Sequence, residues 1–177
     1  MTTFLKVCYN MDKYLKRGGT DLAVLEIVKV GSKLLRQQTE TVPKVTKKIV
    51  GLIADMIETM YAADGVGLAA PQVGILLKII VVDVGEGPFA LINPKIIKAE
   101  GEEIDVEGCL SVPGKQGYVR RAAKVWVDAL DEKGKNVRIE AQELLARALQ
   151  HEIDHLNGVL YIDLLEEEIP DNGVKGV

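Results

Sequence analysis

Both histidines of this 177-residue chain fall in one short stretch, His151-Glu152-Ile153-Asp154-His155. On a helix, residues four apart share a face, so the two imidazoles can reach one metal ion. Glu152 sits beside the first of them, angled so that its carboxylate can take a proton from a water on that ion without being a ligand. A catalytic site of this kind uses three protein ligands and keeps one position open. Downstream, Gly158 falls in register with the extended H-E-x-x-H-x-x-G-x-x-H pattern, but Tyr161 occupies the last place and no methionine follows Met60. Glu166, Glu167 and Glu168 lie too close to His155 to return on a separate helix. Upstream stands Cys109, in Glu107-Gly108-Cys109-Leu110-Ser111-Val112-Pro113. Its thiolate suits a late first-row divalent ion, and Gly108 lets the backbone approach closely. A buried free cysteine is the plain alternative.

A third segment, Gly65-Val66-Gly67-Leu68-Ala69-Ala70-Pro71-Gln72, is built of small residues and leaves room for an extended ligand. Gln72 can donate its amide N–H to a developing oxyanion. The segment lacks the lysine and Ser/Thr of a phosphate loop, and it is not a G-x-G-x-x-G fingerprint.

The elements that position these residues follow from periodicity. Ile49, Leu52, Ile53, Met56, Ile57, Met60 and Tyr61 form an apolar stripe at helical spacing, opening after Pro43 and stopping at Asp64-Gly65. Residues 22–30 read as a strand or an extended lead-in, 77–84 as a β-branched strand, and 89–100 as extended segments around Asn93-Pro94. Residues 123–130 alternate, Asp131 to Gly134 turns, and 136–140 is the hairpin partner. A second helix is expected from about Ala141 to Leu156, ending at Asn157-Gly158. Strands between two helices without regular βα alternation predict a single-domain α+β fold, with antiparallel strands packed around the histidine helix.

Residues 1–21 read as a poorly ordered N-terminal extension, 22–170 as the catalytic domain, and 171–177 as a frayed tail. An organellar transit peptide is the alternative reading of 1–20, weakened by the absence of serine and the single arginine. At 47% hydrophobic, 27% charged and net charge -4, the composition is that of a soluble globular protein. It argues against nucleic-acid binding by broad phosphate neutralisation. Cys8 and Cys109 make no disulfide framework, which favours a reducing cytosol. No apolar run is long enough to span a bilayer.

Taken together and in this order, the three segments resemble the motifs of the peptide deformylases: G-x-G-x-A-A-x-Q, E-G-C-x-S and H-E-x-D-H. The resemblance runs from about Leu22 to Leu165. It implies removal of the formyl group from the N-terminal formylmethionine of new bacterial or organellar polypeptides, with release of formate. It further implies one divalent metal ion held by Cys109, His151 and His155: iron(II) first, with zinc, nickel or cobalt able to replace it. In that reading Glu152 is the general acid/base as metal-activated water attacks, while Gln72 and the backbone N–H of Leu110 stabilise the oxyanion. Gly67 lies where members of the family bond the substrate backbone, and Glu107 and Arg121 where a structural ion pair is expected. Val66, Leu144 and Ala148 are the candidates for the methionine slot, with core packing as the competing role. The partners implied are nascent formylmethionyl peptides in the cytoplasm and a transient association with the ribosome.

Three departures stand out. Gly31-Ser32-Lys33 replaces a glycine-proline step. Glu143 replaces a common glycine at the start of the histidine helix, where a carboxylate suits the helix dipole and a structural adjustment is expected. Glu166-Glu167-Glu168 does not resemble the basic C-terminal helix that some members use to dock on the ribosome. Two other classes compete: a metallopeptidase, disfavoured by the missing downstream ligand, and a non-catalytic binding relative, disfavoured by the intact Glu152.

Overall fold

The computed structural model describes residues 23–169. The expectations for 1–21 and for the 171–177 tail therefore lie outside the described residues.

Helix α1, Lys47–Ala62, starts where Thr46 turns its side chain back to accept the backbone N–H of Ile49. Its stripe of Ile53, Met56, Ile57 and Met60 is buried. The helix ends with Asp64 in the left-handed region at φ 56°, and Gly65 N–H closes on Met60 O. Helix α2, Glu143–Leu156, carries the histidines.

Between the helices lies a five-stranded antiparallel sheet of β1 (Gly67–Ala69), β2 (Ile79–Val82), β3 (Phe89–Glu100), β6 (Lys124–Leu130) and β7 (Asn136–Gln142), in spatial order β1-β2-β3-β6-β7. The strand period of two divides its side chains between the helices. Ile80, Val82 and Leu91 join the core under α2, while Ile79, Val81, Ala90 and Ile92 join the core under α1. Covered on both faces, β2 is a continuous apolar run rather than an alternating one. The remaining strands, β4 (Glu103–Cys109), β5 (Val112–Arg121) and β8 (Leu165–Ile169), form a second antiparallel sheet in the order β4-β5-β8.

The α+β class and the hairpin of β6 with β7 agree with the sequence reading. Other details differ. Residues 23–29 form no strand, and Val28 N–H donates to Gln72 O at 2.8 Å. Val30 N–H donates to Ser111 O at 2.7 Å, so this segment ties the Gln72 turn to the Cys109 loop. The second helix begins at Glu143 rather than Ala141, because Ala141 and Gln142 complete the ladder of β7 with β6. Gly67–Ala69, within the segment of small residues, pairs with Ile80–Val82. Glu166, Glu167 and Glu168 belong to β8, paired with β5, so no third helix forms there.

Candidate metal centre and catalytic pocket

Three elements converge on one cleft. From α2 come His151, Glu152 and His155, all buried. Cys109 comes from the end of β4, where a register shift between Gly108 and Cys109 interrupts the ladder with β5. Such a bulge re-aims a side chain, and here it turns the thiol toward the histidines. Cys109 Sγ lies 3.2 Å from His155 Nε2, and one donor atom from each of Cys109, His151 and His155 lies within 4.8 Å of the others.

Gln72, in the 3-10 turn Ala70–Val73, is 1% exposed. Its Oε1 accepts the Ala69 N–H at 2.8 Å. Its Nε2 donates to Ser111 Oγ at 3.2 Å and lies 3.5 Å from Cys109 Sγ. The amide nitrogen therefore faces the metal-ligand cluster, fixed by bonds from both neighbouring segments. Gly67 is glycine for lack of space: a Cβ there would stand 2.3 Å from Glu152 Oε1. Val66, Leu110, Leu144 and Ala148 line the same cleft, with Leu144 exposed at its rim and Ala148 buried. All ten site residues expected from the sequence thus border one site.

The electrostatics follow from burial. Glu152 loses hydration on the buried face of α2, which pushes its carboxyl up to about 7. Burial and the neighbouring His151 hold His155 well below the ordinary histidine range. For His151 burial acts the same way but is outweighed by Cys109 and Glu107, which hold it well above that range. Burial raises Glu107 too, yet its bonds to His151 and Arg121 prevail and bring it down to about 2. It is a fixed anion.

Within the cluster, Glu152 Oε2 and His155 Nδ1 are buried with no hydrogen-bond partner among the described residues. Such atoms are costly unless something else occupies the site. A thiolate and two imidazoles form a donor set suited to zinc or to a late first-row divalent ion, with a position left open for water. The residues fit a metal cofactor.

Around the ligands, the expected ion pair is present: Arg121 Nε and Nη2 donate to the two Glu107 oxygens at 2.8 and 3.0 Å. Glu107 Oε2 in turn meets His151 Nδ1 at 2.9 Å, the usual way a carboxylate fixes a ligating imidazole. Sequence reasoning missed two members of this network. Asp154, between the histidines, pairs with Arg121. Arg147, buried one turn before His151, donates to Glu107 Oε1 at 2.8 Å. The available signal was the position of Arg147 on the helix face that carries the ligands.

Comparison with known proteins agrees with this geometry. The family model described as polypeptide deformylase matches residues 24–169. The chain is 56% identical over 146 residues to peptide deformylase 1 of Clostridium acetobutylicum, covering 82% of this chain and 97% of that protein. It is 58% identical over 144 residues to the peptide deformylase of Halothermothrix orenii, covering 80% and 94%. The crystal structure of the Thermotoga maritima peptide deformylase superposes with a TM-score of 0.80 at 43% identity, covering 81% of this chain and 98% of that one. The Synechococcus elongatus peptide deformylase, solved in complex with actinonin, gives a TM-score of 0.79 at 43% identity, covering 84% and 87%. With its metal-ligand cluster, its fold and nearly all of its described length in agreement, the chain belongs to the polypeptide deformylase family.

Proposed function

We propose that Cys109, His151 and His155 hold one divalent ion, iron(II) ahead of zinc, nickel or cobalt, and that Glu152, Gln72 and Leu110 carry out the hydrolysis beside it. The reaction is the family's: the formyl group is removed from the N-terminal formylmethionine of a newly made polypeptide, and formate leaves. The observation that carries the residue assignment is the convergence of the three ligand atoms beside a buried Glu152 oxygen that has no partner among the described residues.

Bound there, a divalent ion supplies Lewis acidity, lowering the pKa of water and polarising the formyl carbonyl. The chain's own residues do the rest. Glu152 takes the proton of the attacking water and returns it to the leaving amine. Gln72 Nε2 and the Leu110 backbone N–H donate to the oxygen on which charge develops. Gly67 allows the substrate backbone to run close past Glu152, and Val66, Leu144 and Ala148 form the apolar slot for the methionine side chain. Glu107 keeps the Nδ1 proton of His151 engaged and leaves the opposite ring nitrogen for the ion. The substrate is a nascent chain in the cytoplasm, met during transient association with the ribosome. No helix among the described residues is long and apolar enough to cross a membrane.

The test is formate release from a short formylmethionyl peptide by protein purified without oxygen, with bound metal measured on the same sample. The expected result is one metal per chain and steady formate release. Glu152→Gln should keep the metal and lose about 10²- to 10⁴-fold in rate. A wild-type chain that holds its metal and releases no formate defeats the proposal. Cleavage of internal peptide bonds would point to a metallopeptidase instead.

A further inference from the structure

The Glu107 carboxylate is gripped from two sides. From the end of β5, Arg121 reaches both of its oxygens. From α2, Arg147 Nη1 reaches Oε1 at 2.8 Å, and the remaining site on Oε2 faces His151 Nδ1. Arg147 is only 6% exposed, although it lines the substrate cleft. Its guanidinium is anchored on two strands, with Nη1 donating to Val119 O at 2.9 Å on β5 and Nη2 to Glu103 O at 3.1 Å on β4. One side chain therefore joins the helix that bears two ligands to the strand that bears the third, through the carboxylate that orients His151.

We propose that Arg147 is a positioning residue for the metal site: anchored on β4 and β5, it clamps Glu107, and through Glu107 it fixes the ring of His151. The inference rests on the reading that Cys109, His151 and His155 hold a metal ion. Arg121 is not a substitute, because it approaches Glu107 from its own strand and divides its charge with Asp154. Removing Arg147 leaves Glu107 anionic and paired but frees its Oε1 on the side of α2. Lysine fits the role poorly. A planar fork can meet two carbonyls and a carboxylate at once, whereas an ammonium is a single point of contact.

A double-mutant cycle on the full chain tests this, using Arg147→Met, Glu107→Gln and the pair. Cobalt(II) is the probe; its affinity is read by chelator competition and its geometry by visible absorption, alongside kcat, KM and the melting temperature. Arg147→Met should weaken cobalt retention about 10-fold, at the low end of what lost partners of ligating histidines cost. It should also move the cobalt absorption bands and lower kcat with KM within about twofold. Because Arg147 acts through Glu107, the double variant should hold cobalt no more weakly than Glu107→Gln alone. Should Arg147→Met fail to fold, Arg147→Lys carries the same test, with a smaller loss in the same direction. The proposal is overturned if the losses add, or if the variant melts lower while its cobalt affinity and bands match wild type. A wild-type chain that holds no cobalt overturns this inference and the metal reading together. One that holds cobalt but releases no formate defeats only the assigned reaction, and the cycle still decides the role of Arg147.

Discussion

Helices α1 and α2 cover opposite faces of the same sheet and are built in opposite ways. The buried face of α1 is Ile53, Met56, Ile57 and Met60, with Thr59 its one polar member. Of the residues that α2 buries, Arg147, Gln150, His151, Glu152 and His155 are polar or charged. A polar group buried without a partner costs roughly 1–3 kcal/mol, so α2 depends on finding partners elsewhere in the chain. Gln150 finds them at Ala122, accepting its N–H at 3.0 Å and donating to its carbonyl at 2.9 Å. His151 and Arg147 find theirs in Glu107. Glu152 Oε2 finds none among the described residues, which is the state in which a carboxylate can act on something that enters the site. The termini differ in the same sense. Helix α1 has a side-chain cap from Thr46, whereas α2 has none at Gln142 and starts from a left-handed Glu143 at φ 54°. One helix holds the fold together; the other spends stability on chemistry.

If that division is right, damage to α1 should reach stability alone. Met56 is fully buried in the core between α1 and the sheet, with no atom in the cleft. Met56→Ala should cost about 2–5 kcal/mol from lost transfer energy and a residual cavity. For a chain of this size that lowers the melting temperature by roughly 10 °C. Below the transition, formate release per folded chain should stay within about twofold of wild type. A loss of kcat beyond the unfolded fraction would break the comparison, since it would mean α1 positions the site.

The reverse experiment places the damage at the site. Gly67→Ala puts a methyl 2.3 Å from Glu152 Oε1 and 2.8 Å from its Cδ. Glu152 sits on a buried helix face, so the carboxylate must be displaced. A shift of about 1 Å in a catalytic group can cost 10²-fold in rate. The expected pattern is a loss of that order in kcat/KM with metal content unchanged, because Glu152 is not a ligand. An activity within threefold of wild type would show that the glycine is not needed there.

The same contrast explains what the sequence disclosed. Each helix was legible because its signal is local: the stripe of α1 repeats within one segment, and His151 and His155 stand one turn apart on α2. The hairpin of β6 and β7 was legible through its alternation and its turn at Asp131 to Gly134, and Trp126 faces Glu140 as that register requires. The hairpin of β4 and β5 was not, because its strands carry Gly, Pro and charge, and little of β4 before Glu107 is buried. Gly117 lies within β5, where a Cβ would press 2.4 Å from Leu165 and 2.6 Å from the Glu167 carbonyl. Cys109 could be picked as a ligand, but the bulge that aims it depends on the pairing with Val112. Arg147 resembles any charged helical residue until β4 and β5 supply its acceptors. What was hidden is what needs partners distant in the chain.

The smallest expected effect lies at the start of α2, where the sequence suggested that glutamate, in place of a common glycine, would suit the helix dipole and bring a structural adjustment. In the structure Glu143 adopts the left-handed conformation that glycine favours, at φ 54°. Three contributions compete. A non-glycine residue in that region costs about 1–2 kcal/mol. Glycine would give back about 0.5–1 kcal/mol through the entropy of the unfolded chain, and losing the carboxylate removes about 0.3–1 kcal/mol of interaction with the helix N-terminus. Glu143→Gly alone should therefore lie close to wild type, and it tests little. Paired with Glu143→Ala it becomes informative, because both variants lose the charge and only one escapes the strain. Glu143→Gly should be the more stable of the two by about 0.5–1 kcal/mol, a difference of roughly 2 °C in melting temperature. Equal stability would mean that the start of α2 carries no backbone strain, and the contrast between the two helix termini would reduce to the missing cap.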